Sequence, residues 1–360
     1  MTKQITLADI AQESQVSPST VSLALRNKPG IPAETRQRIL ETARSLGYRL
    51  PGKNARDGET IKPVANIVRR LPHNRALTFG LIVKTQPGIT PQANPFYSQV
   101  LAGIADACGR SQINLLYALV PVDDHNLPTE IPQLLNEDRV DGLLFVGAFI
   151  DKTLDHLLEE RLNPVVLVDG YSESGLYDAV VSDNDGGAYE AVCHLIEHGH
   201  REIGIIGSQP DAYPSILERR NGYCQALQQY GIANRYFGDC NFDHTEIAAA
   251  TQRLLIEQPQ ISALFCCNDA AALSAMRAAQ ALGRKIPTDL SVIGFDDIDS
   301  AQHVTPPLTT LHVDKVKMGR LAIQLLMDRI EFSGTAQTTV VLRPQLIKRA
   351  SVSMRTWDIL

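Results

Sequence analysis

Two hydrophobic periodicities divide the 360-residue chain into a short head and a long body. In the first 50 residues, apolar side chains recur at helical spacing, as at Leu7, Ile10 and Ala11. This spacing predicts short amphipathic helices. From about residue 77 onward, short runs of Val, Ile and Leu alternate with helix-length segments. Such continuous apolar runs are typical of parallel strands that are buried on both faces.

The body is predicted to contain strands of this kind at residues 78–83, 114–120, 141–147, 164–170, 202–207, 262–267 and 290–296. It is longer than one parallel sheet usually needs, so we expect an α/β body of two Rossmann-like subdomains. Open parallel sheets bind ligands at the carboxyl ends of their strands. Residues that directly follow strands are therefore the candidates for a binding site.

The head is predicted to be a three-helix unit with a tight turn after the first helix. Thr6 and Asp9 form a capping box at the start of helix one. Ser17 is a predicted N-cap of helix two, and Pro18 occupies the first helical position, where proline is tolerated. A third helix is predicted over residues 33–46. This arrangement predicts a helix-turn-helix.

The outward face of helix two carries short hydroxyl side chains and one apolar tip. A helix that enters the major groove needs small residues near its N-terminus and hydroxyls that reach phosphates. A generic helical bundle with a polar face is the alternative interpretation. The residues on this face are Pro18, Ser19, Thr20, Ser22, Leu23 and Arg26.

The charge distribution is asymmetric between head and body. The whole chain has a net charge of −6, yet residues 1–79 carry 13 Lys and Arg against 6 Asp and Glu, a net of +7. The remaining residues have 21 and 34, a net of −13. A basic head on an acidic body suggests that only the head meets a polyanion, although a solvated basic face is the alternative.

The sequence also predicts the cellular compartment and the state of the cysteines. We expect a cytoplasmic protein without membrane contact, because the N-terminus lacks a signal-peptide pattern and the longest apolar run, 142–150, is too short to span a bilayer. The six cysteines form no C-x-x-C pair, so reduced, buried thiols are expected. Cys266 and Cys267 should point to opposite faces of one strand.

No catalytic motif stands out in the sequence. It shows no phosphate-loop lysine motif, no G-x-G-x-x-G after a strand, no G-x-S-x-G and no H-E-x-x-H. We therefore predict no enzymatic activity and no cofactor. His194 and His198 lie one helical turn apart, but no carboxylate or Cys completes a metal site, and no metal is predicted.

The predicted strand ends carry groups suited to a hydroxyl-rich ligand. Carboxylates accept hydrogen bonds from sugar hydroxyls, Arg donates in a fork, and aromatic faces stack on rings. The alternative is structural, because such residues also cap helices or fill cores, as Asp269 and Asp297 could. The candidates are Asp169, Asn268 and Asp296 at strand ends, Arg219 in a predicted helix start, and the aromatic residues Phe96, Tyr97 and Phe242.

Residues 6–48 resemble the head of the LacI/GalR (lactose-repressor) family of bacterial transcription regulators. The matching residues are T-L-A-D-I-A at 6–11, V-S-x-x-T-V-S at 16–22, Asn27, T-R at 35–36 and L-G-Y at 46–48. The resemblance implies sequence-specific binding to operator DNA. Together with the outward face of helix two, it assigns DNA contacts to Thr6, Ser17, Pro18, Ser19, Thr20, Ser22, Leu23, Arg26, Asn27, Thr35 and Arg36.

Two departures from the family pattern affect this expectation. Gln15 stands where the family turn often has Gly, which costs up to ~1 kcal/mol if the position needs a positive φ. Leu23 stands where many members have an Arg that pairs with guanine. Leu can instead pack on a thymine methyl, so the operator should differ at that base step.

The linker at residues 51–76 matches the family less clearly. Family members place a hinge helix here that ends in a Leu wedged into the minor groove. One register starts at Pro51 but puts Gly58 in the Leu position; the other starts at Pro63 and ends at Leu71. We favour the second, a hinge helix near 64–71 with Arg70 and Leu71 at the minor groove. A flexible basic tether is the alternative.

The body resembles the regulatory domain of the same family, which is similar to periplasmic sugar-binding proteins. The landmarks are NPFY (94–97), VDGLLF (140–145), DN-x-x-G (183–187), ERRNGY (218–223), CNDAAA (267–272) and PTDLSVIGFDD (287–297). The resemblance implies that Arg219 clamps the ligand and that Asp296 holds its hydroxyls. It also implies a pocket amide at Asn268, aromatic walls at Tyr97 and Phe242, and a polar wall near Asp169.

We therefore expect a helix-turn-helix domain at 1–50, a linker at 51–76 and a regulatory body at 77–350. The predicted subdomains are 77–182 plus 314–341, and 183–313. We expect a homodimeric repressor whose operator affinity responds to a small effector bound between the subdomains. A tetramer is the alternative assembly. A carbohydrate is favoured over a purine. The alternatives are a transporter's solute-binding protein without a DNA role and an enzyme on a doubly wound fold.

Overall fold

The computed structural model describes residues 7–17, 20–21, 35, 38–39, 42, 76–85, 94–123, 126–136, 139–158, 163–172, 175–332 and 334–355. They belong to two units, residues 1–64 and 65–360, which are described separately. Among the described residues, no helix combines the length and apolarity needed to cross a bilayer.

The first unit begins with helix α1 (Leu7–Glu13), whose buried face includes Ile10 and Ala11. The turn that follows is closed by a hydrogen bond from the Val16 N–H to the Ala11 carbonyl, 3.0 Å. Gln15 adopts a φ of 54° in this turn. The position therefore does require the left-handed conformation, and Gln15 carries the backbone cost that glycine would avoid.

Helix two of the head opens as the sequence predicts. The Ser17 hydroxyl accepts a hydrogen bond from the Thr20 backbone N–H at 3.1 Å, which is the bond an N-cap makes. Thr20 and Val21 are helical, and Val21 is buried together with Ile39. Val21 and Ile39 thus contribute to the core of the head.

Six described strands of the second unit form one parallel sheet. The strands are β1 (Thr78–Thr85), β2 (Asn114–Pro121), β3 (Gly142–Val146), β4 (Val165–Val168), β5 (Asp178–Ser182) and β11 (Thr339–Leu342). Their order across the sheet is β11-β5-β4-β3-β1-β2. Its helices are α2 (Pro95–Arg110), α3 (Asp151–Leu158) and α8 (Lys315–Glu331). We call this part the first lobe.

Alternate residues of these strands enter different hydrophobic cores. Leu144 and Val146 of β3 belong to the core that contains α2 and α8, whereas Leu143 and Phe145 belong to the core that contains α3. Both faces are covered because successive side chains of a strand point in opposite directions. This explains why the strands are apolar without interruption.

Four described strands form a second parallel sheet. They are β6 (Ile203–Ile206), β7 (Tyr236–Gly238), β8 (Ala263–Cys266) and β9 (Ser291–Ile293), and their order across the sheet is β7-β6-β8-β9. Helices α4 (Asn184–Glu197) and α5 (Pro214–Gln229) pack together, as do α6 (His244–Glu257) and α7 (Asp269–Ala281). Antiparallel strands β10 (Thr310–His312) and β12 (Gln345–Ile347) pair beside them. We call this part the second lobe.

The cysteines are placed as the alternation predicts. Cys266 and Cys267 lie in different hydrophobic cores, on opposite sides of the second sheet. All six thiols are free, and Cys224 is the one that is partly exposed among them.

The described body crosses between the lobes at three places. These are the steps from β5 to α4, from β10 to α8 and from β11 to β12. The residues after β12 pack in the second lobe, where the Val292 N–H donates to the Ser351 carbonyl at 2.9 Å. Where a chain crosses between two lobes at a few places, residues at the crossings can absorb a change in the angle between the lobes.

Candidate binding site between the lobes

The second lobe contributes a buried arginine, and each of its three side-chain nitrogens donates a hydrogen bond. Arg219 on α5 is 5% exposed. Its Nε donates to Asn184 Oδ1 at 2.9 Å, its Nη1 to the Cys267 carbonyl, and its Nη2 to Asp296 Oδ1 at 3.3 Å. The guanidinium also lies over the Phe295 ring, 3.8 Å from the centroid. These contacts hold the planar donor fork in one orientation.

Asp296 reaches Arg219 from an unusual backbone turn after β9. Asp296 and Asp297 have φ values of 105° and 53°. The Lys315 ammonium stabilises this turn, since its Nζ donates to the carbonyls of Asp296, Asp297 and Val313. Burial raises the pKa of Asp296, and the charge of Arg219 opposes that rise.

The first lobe contributes Asp169 and Tyr97. Asp169 directly follows β4 with a φ of 57°, and its carboxylate Oδ2 accepts a 2.8 Å hydrogen bond from the Tyr97 hydroxyl. Tyr97 stands in the first turn of α2, which Asn94 caps by accepting from the N–H groups of Phe96 and Tyr97. Burial raises the pKa of Asp169 to about 6, against the lowering effects of the Tyr97 hydrogen bond and of Arg219.

Lys84 belongs to the same site, although the sequence analysis did not single it out. It stands near the end of β1, where its Nζ donates to the Ala148 carbonyl at 2.9 Å. The ammonium also lies 3.8 Å from the ring centroid of Tyr213, which precedes α5 in the second lobe. Burial lowers the pKa of Lys84 to about 7, and Asp169 opposes that shift. A charge at the end of an apolar strand was the available signal.

A second missed group surrounds Asn184. The Tyr171 hydroxyl donates to Glu218 Oε2 at 3.1 Å, and Asn184 Nδ2 lies 2.8 Å from that hydroxyl and 3.0 Å from the same carboxylate oxygen. Tyr171 follows β4 in the first lobe, whereas Glu218 lies on α5 beside Arg219. The D-N pair after β5 was the only sequence signal for this group.

The other predicted site residues have different surroundings. Asn268 caps α7 by accepting from the Ala271 N–H at 2.7 Å, so the capping role is present. Phe96 is buried in the core and packs edge-on against Tyr97, with 5.2 Å between centroids. Phe242 is 37% exposed, near the end of β6. Tyr97, Asp169, Arg219 and Asp296 are the predicted residues that come together.

Most of the predicted DNA contacts lie outside the described residues. Those outside are Thr6, Pro18, Ser19, Ser22, Leu23, Arg26, Asn27, Arg36, Arg70 and Leu71, together with the hinge helix near 64–71. Of the remainder, Ser17 is exposed, and Thr20 and Thr35 are half-buried. The Ser17 and Thr20 hydroxyls lie 2.8 Å apart.

The histidine pair considered for metal binding is packed instead. His194 is buried, its ring centroid lies 4.1 Å from that of His198, and burial lowers its pKa to about 4. In the described part of the chain, no group of three or more His, Cys, Asp or Glu side chains is placed to hold a metal ion.

Two parallel-sheet lobes, joined by three crossings and lined by opposed polar groups, form an α/β body of the type that holds ligands between its lobes. Residues 192–352 match the model of the periplasmic binding protein-like domain, and residues 6–50 match that of bacterial regulatory proteins of the lacI family.

Whole-chain relatives combine both parts. The ribose operon repressor of Haemophilus influenzae is 32% identical over 351 residues, which cover 96% of this chain and 98% of that protein. The HTH-type transcriptional repressor PurR of Photobacterium profundum is 30% identical over 353 residues, covering 96% and 98%. Among solved structures, the complex of the transcriptional regulator CelR with cellobiose has a TM-score of 0.68 and 28% identity, covering 97% of this chain and all of that one.

The chain belongs to the lacI family of bacterial regulatory proteins. It is a DNA-binding transcriptional repressor, which the family's head and the whole-length relatives support over a transporter's solute-binding protein.

Proposed function

We propose that a neutral, hydroxyl-rich molecule of the carbohydrate class binds between the lobes and controls the grip of the heads on operator DNA. The observation that carries this proposal is the meeting of Arg219 and Asp296 from one lobe with Tyr97 and Asp169 from the other. Phe96, Phe242 and Asn268 are the further effector contacts that we propose.

The charge balance favours a neutral ligand. Lys84 and Arg219 supply two cations, while Asp169 and Asp296 supply two carboxylates, and Glu218 adds a third near Tyr171. Lys315 adds a third cation at the Asp296 turn, so the cations and carboxylates of the site balance without a charged ligand. A phosphate or carboxylate ligand there would be an unpaired buried charge, which is costly. Hydroxyls can both donate to the carboxylates and accept from the guanidinium. The similarity to a ribose operon repressor and to cellobiose-bound CelR points to the same class.

The DNA-binding part of the proposal rests on the head. We propose a domain at 1–50 whose helix two enters the major groove with the contacts predicted above. A linker at 51–76 would carry a hinge helix near 64–71, and the body would follow from 77. Effector binding changes the angle between the lobes, and such coupling typically amounts to about 1–3 kcal/mol. A DNA-binding repressor acts in the cytoplasm, and we propose binding rather than catalysis as the role of the site.

A homodimer is proposed because a pseudo-palindromic operator presents two half-sites one helical turn apart. The outermost strand of the first lobe's sheet, β2, exposes Tyr117 and Leu119 by 43% and 40%. Exposed apolar side chains on an edge strand are what a subunit contact covers. Tyr117→Lys should therefore yield monomers in analytical ultracentrifugation, and a variant that remains dimeric would exclude this edge.

The effector is tested by thermal shift of the full chain with D-ribose, cellobiose and adenosine. A ligand at a hundred times its Kd stabilises the folded state by about 2.7 kcal/mol, which gives a measurable rise in Tm. We expect a sugar to raise Tm, and we expect Arg219→Ala to abolish that rise. Arg320→Ala, which removes an exposed pairing with Asp106, is the matched control and should keep it. A rise with adenosine alone, or one that survives Arg219→Ala, contradicts the proposal.

The DNA role is tested by gel shift with fragments upstream of neighbouring operons. If each head contacts several phosphates, log affinity should fall linearly and steeply with log salt, by about 0.9 per phosphate neutralised. A salt-independent affinity would contradict the electrostatic part of the proposal.

A further inference from the structure

The side-chain amide of Asn184 is fully engaged at the first crossing between the lobes. Asn184 is 1% exposed and begins α4 directly after β5. Its Oδ1 accepts from Arg219 Nε at 2.9 Å. Its Nδ2 faces three acceptors: the Ser182 carbonyl at 3.1 Å, the Tyr171 hydroxyl at 2.8 Å and Glu218 Oε2 at 3.0 Å.

The chemistry of its partners permits one orientation of this amide. A guanidinium can only donate and a carboxylate can only accept, so Oδ1 must face Arg219 and Nδ2 must face Glu218. Turning the amide would leave donors facing donors on one side and acceptors facing acceptors on the other. The Asn184 side chain therefore cannot rotate without breaking bonds on both sides.

These partners lie in different lobes. Tyr171 is held in the first lobe, where its backbone N–H donates to the Phe149 carbonyl at 2.8 Å. Glu218 and Arg219 are neighbours on α5 of the second lobe. The amide thus joins the arginine of the binding site to a tyrosine of the opposite lobe, at a point where the chain itself crosses.

We propose that Asn184 is a positioning residue that ties the orientation of the Arg219 side chain to the relative placement of the two lobes. The inference rests on the proposed function in taking Arg219 as the effector contact. A ligand that turns the guanidinium withdraws Nε from Asn184. The amide then either follows and releases Tyr171, or stays with a buried oxygen unpaired, which is unfavourable. Either outcome shifts the balance between lobe arrangements.

The test needs neither effector nor DNA, so its result is separate from that of the proposed function. Hydrogen exchange is measured on the full chain by mass spectrometry, for peptides that cover residues 163–172 of the first lobe. Arg219→Lys keeps the positive charge opposite Asp169 but removes the Nε donor. We expect exchange in these peptides to rise at least about two-fold, although the substitution is in the second lobe, and we expect this rise to be absent in a Tyr171→Phe background.

Tyr223 provides a matched control. Its buried hydroxyl donates to the Ile203 carbonyl at 2.8 Å and accepts from the Tyr236 N–H at 3.1 Å, within the second lobe. Tyr171 likewise donates once and accepts once. In a Tyr223→Phe background, Arg219→Lys should still raise first-lobe exchange by the same factor as in the wild type.

Two results would overturn the proposal. One is unchanged first-lobe exchange in Arg219→Lys; the other is the same rise in the Tyr171→Phe background as in the wild type. If Arg219→Lys does not fold, the reciprocal measurement replaces it. Tyr171→Phe alone should then raise exchange at residues 214–222 of α5 at least about two-fold, and no rise there would refute the coupling.

Discussion

Helices α2 and α8 cross so closely that one added methyl group should separate them. A Cβ on Gly103 of α2 would lie 2.1 Å from the Val316 carbonyl oxygen of α8. A Cβ on Gly319 of α8 would lie 2.3 Å from the Val100 carbonyl oxygen of α2. Separations below 3.0 Å essentially never occur for real Cβ atoms. Because the obstacles are backbone atoms, Gly103→Ala must move the helices apart by about 1 Å.

The cost follows from what the two helices bury between them. A gap of up to about 1 Å forfeits a quarter to a half of each van der Waals contact along the interface. Overpacking of a core typically costs about 1–3 kcal/mol, and we expect the upper part of that range because no flexible side chain can yield. The same movement would reach the site, since α2 carries Tyr97 and α8 begins with Lys315.

This cost is measured by comparing the urea unfolding of Gly103→Ala with that of Gly109→Ala and of the wild type. Gly109 lies on the same helix, is exposed, and has nothing within 4 Å of an added Cβ. Gly109→Ala should therefore stabilise the chain by about 0.5–1 kcal/mol, through helix propensity and the unfolded state. The two variants should move the midpoint in opposite directions. Equal stability of Gly103→Ala and the wild type would refute the reasoning from the close approach.

The other predictions concern buried charges. Asp178→Ala removes the carboxylate that Arg329 binds through two bonds of 2.6 and 2.7 Å, so the unfolding free energy should fall by about 3–5 kcal/mol; a loss below about 1 kcal/mol in urea unfolding would contradict this. Burial raises the pKa of Asp269 to about 8, so the folded chain keeps a proton that the unfolded chain releases. The contribution of this proton to the free energy of unfolding is therefore lost as pH rises from about 4 through 8. Between pH 5.5 and 8 the wild type should lose stability with rising pH, and Asp269→Asn should reduce that loss by up to ~1.4 kcal/mol per pH unit. If the urea midpoints of Asp269→Asn fall as steeply as those of the wild type, the raised pKa of Asp269 is not the cause. Tyr97→Phe removes a bond that lowers the pKa of Asp169, so binding of the sugar found by thermal shift should need a higher pH; an unchanged pH profile in calorimetric titration would contradict this.

The core strands could be predicted because they are buried on both faces. The seven predicted runs all correspond to strands, with ends that differ by up to three residues, as for 290–296 against Ser291–Ile293. Five of the described strands were not predicted, because their apolar runs are at most three residues long. β5 has only the apolar run AVV, and β11 at the sheet edge alternates between exposed and half-buried residues. Such strands form because a neighbouring strand is available, which local periodicity cannot show.

The residues of the candidate site likewise divide into those that local sequence identifies and those that depend on distant partners. Asp169 and Asp296 follow apolar strands, so strand-end reasoning found them without further help. Arg219 lies within a helix and stood out mainly through the family resemblance. Lys84 and Asn184 acquire their roles from partners in the other lobe, and such contacts depend on how the chain crosses the hinge. Sequence position alone therefore could not distinguish them from ordinary polar residues.

The polar groups of the candidate site already have partners within the protein, and this limits how an effector can act. Arg219 already has hydrogen-bond partners, as do Asp169 and Lys84, so a ligand must exchange existing bonds for its own. The net gain from each exchange is small, because a bond made replaces a bond lost. Some of the exchanged contacts also hold the lobes together, as Lys84 does with Tyr213. A ligand that binds here therefore cannot leave the lobe arrangement unaffected, and its differential affinity for the two arrangements is what shifts their populations.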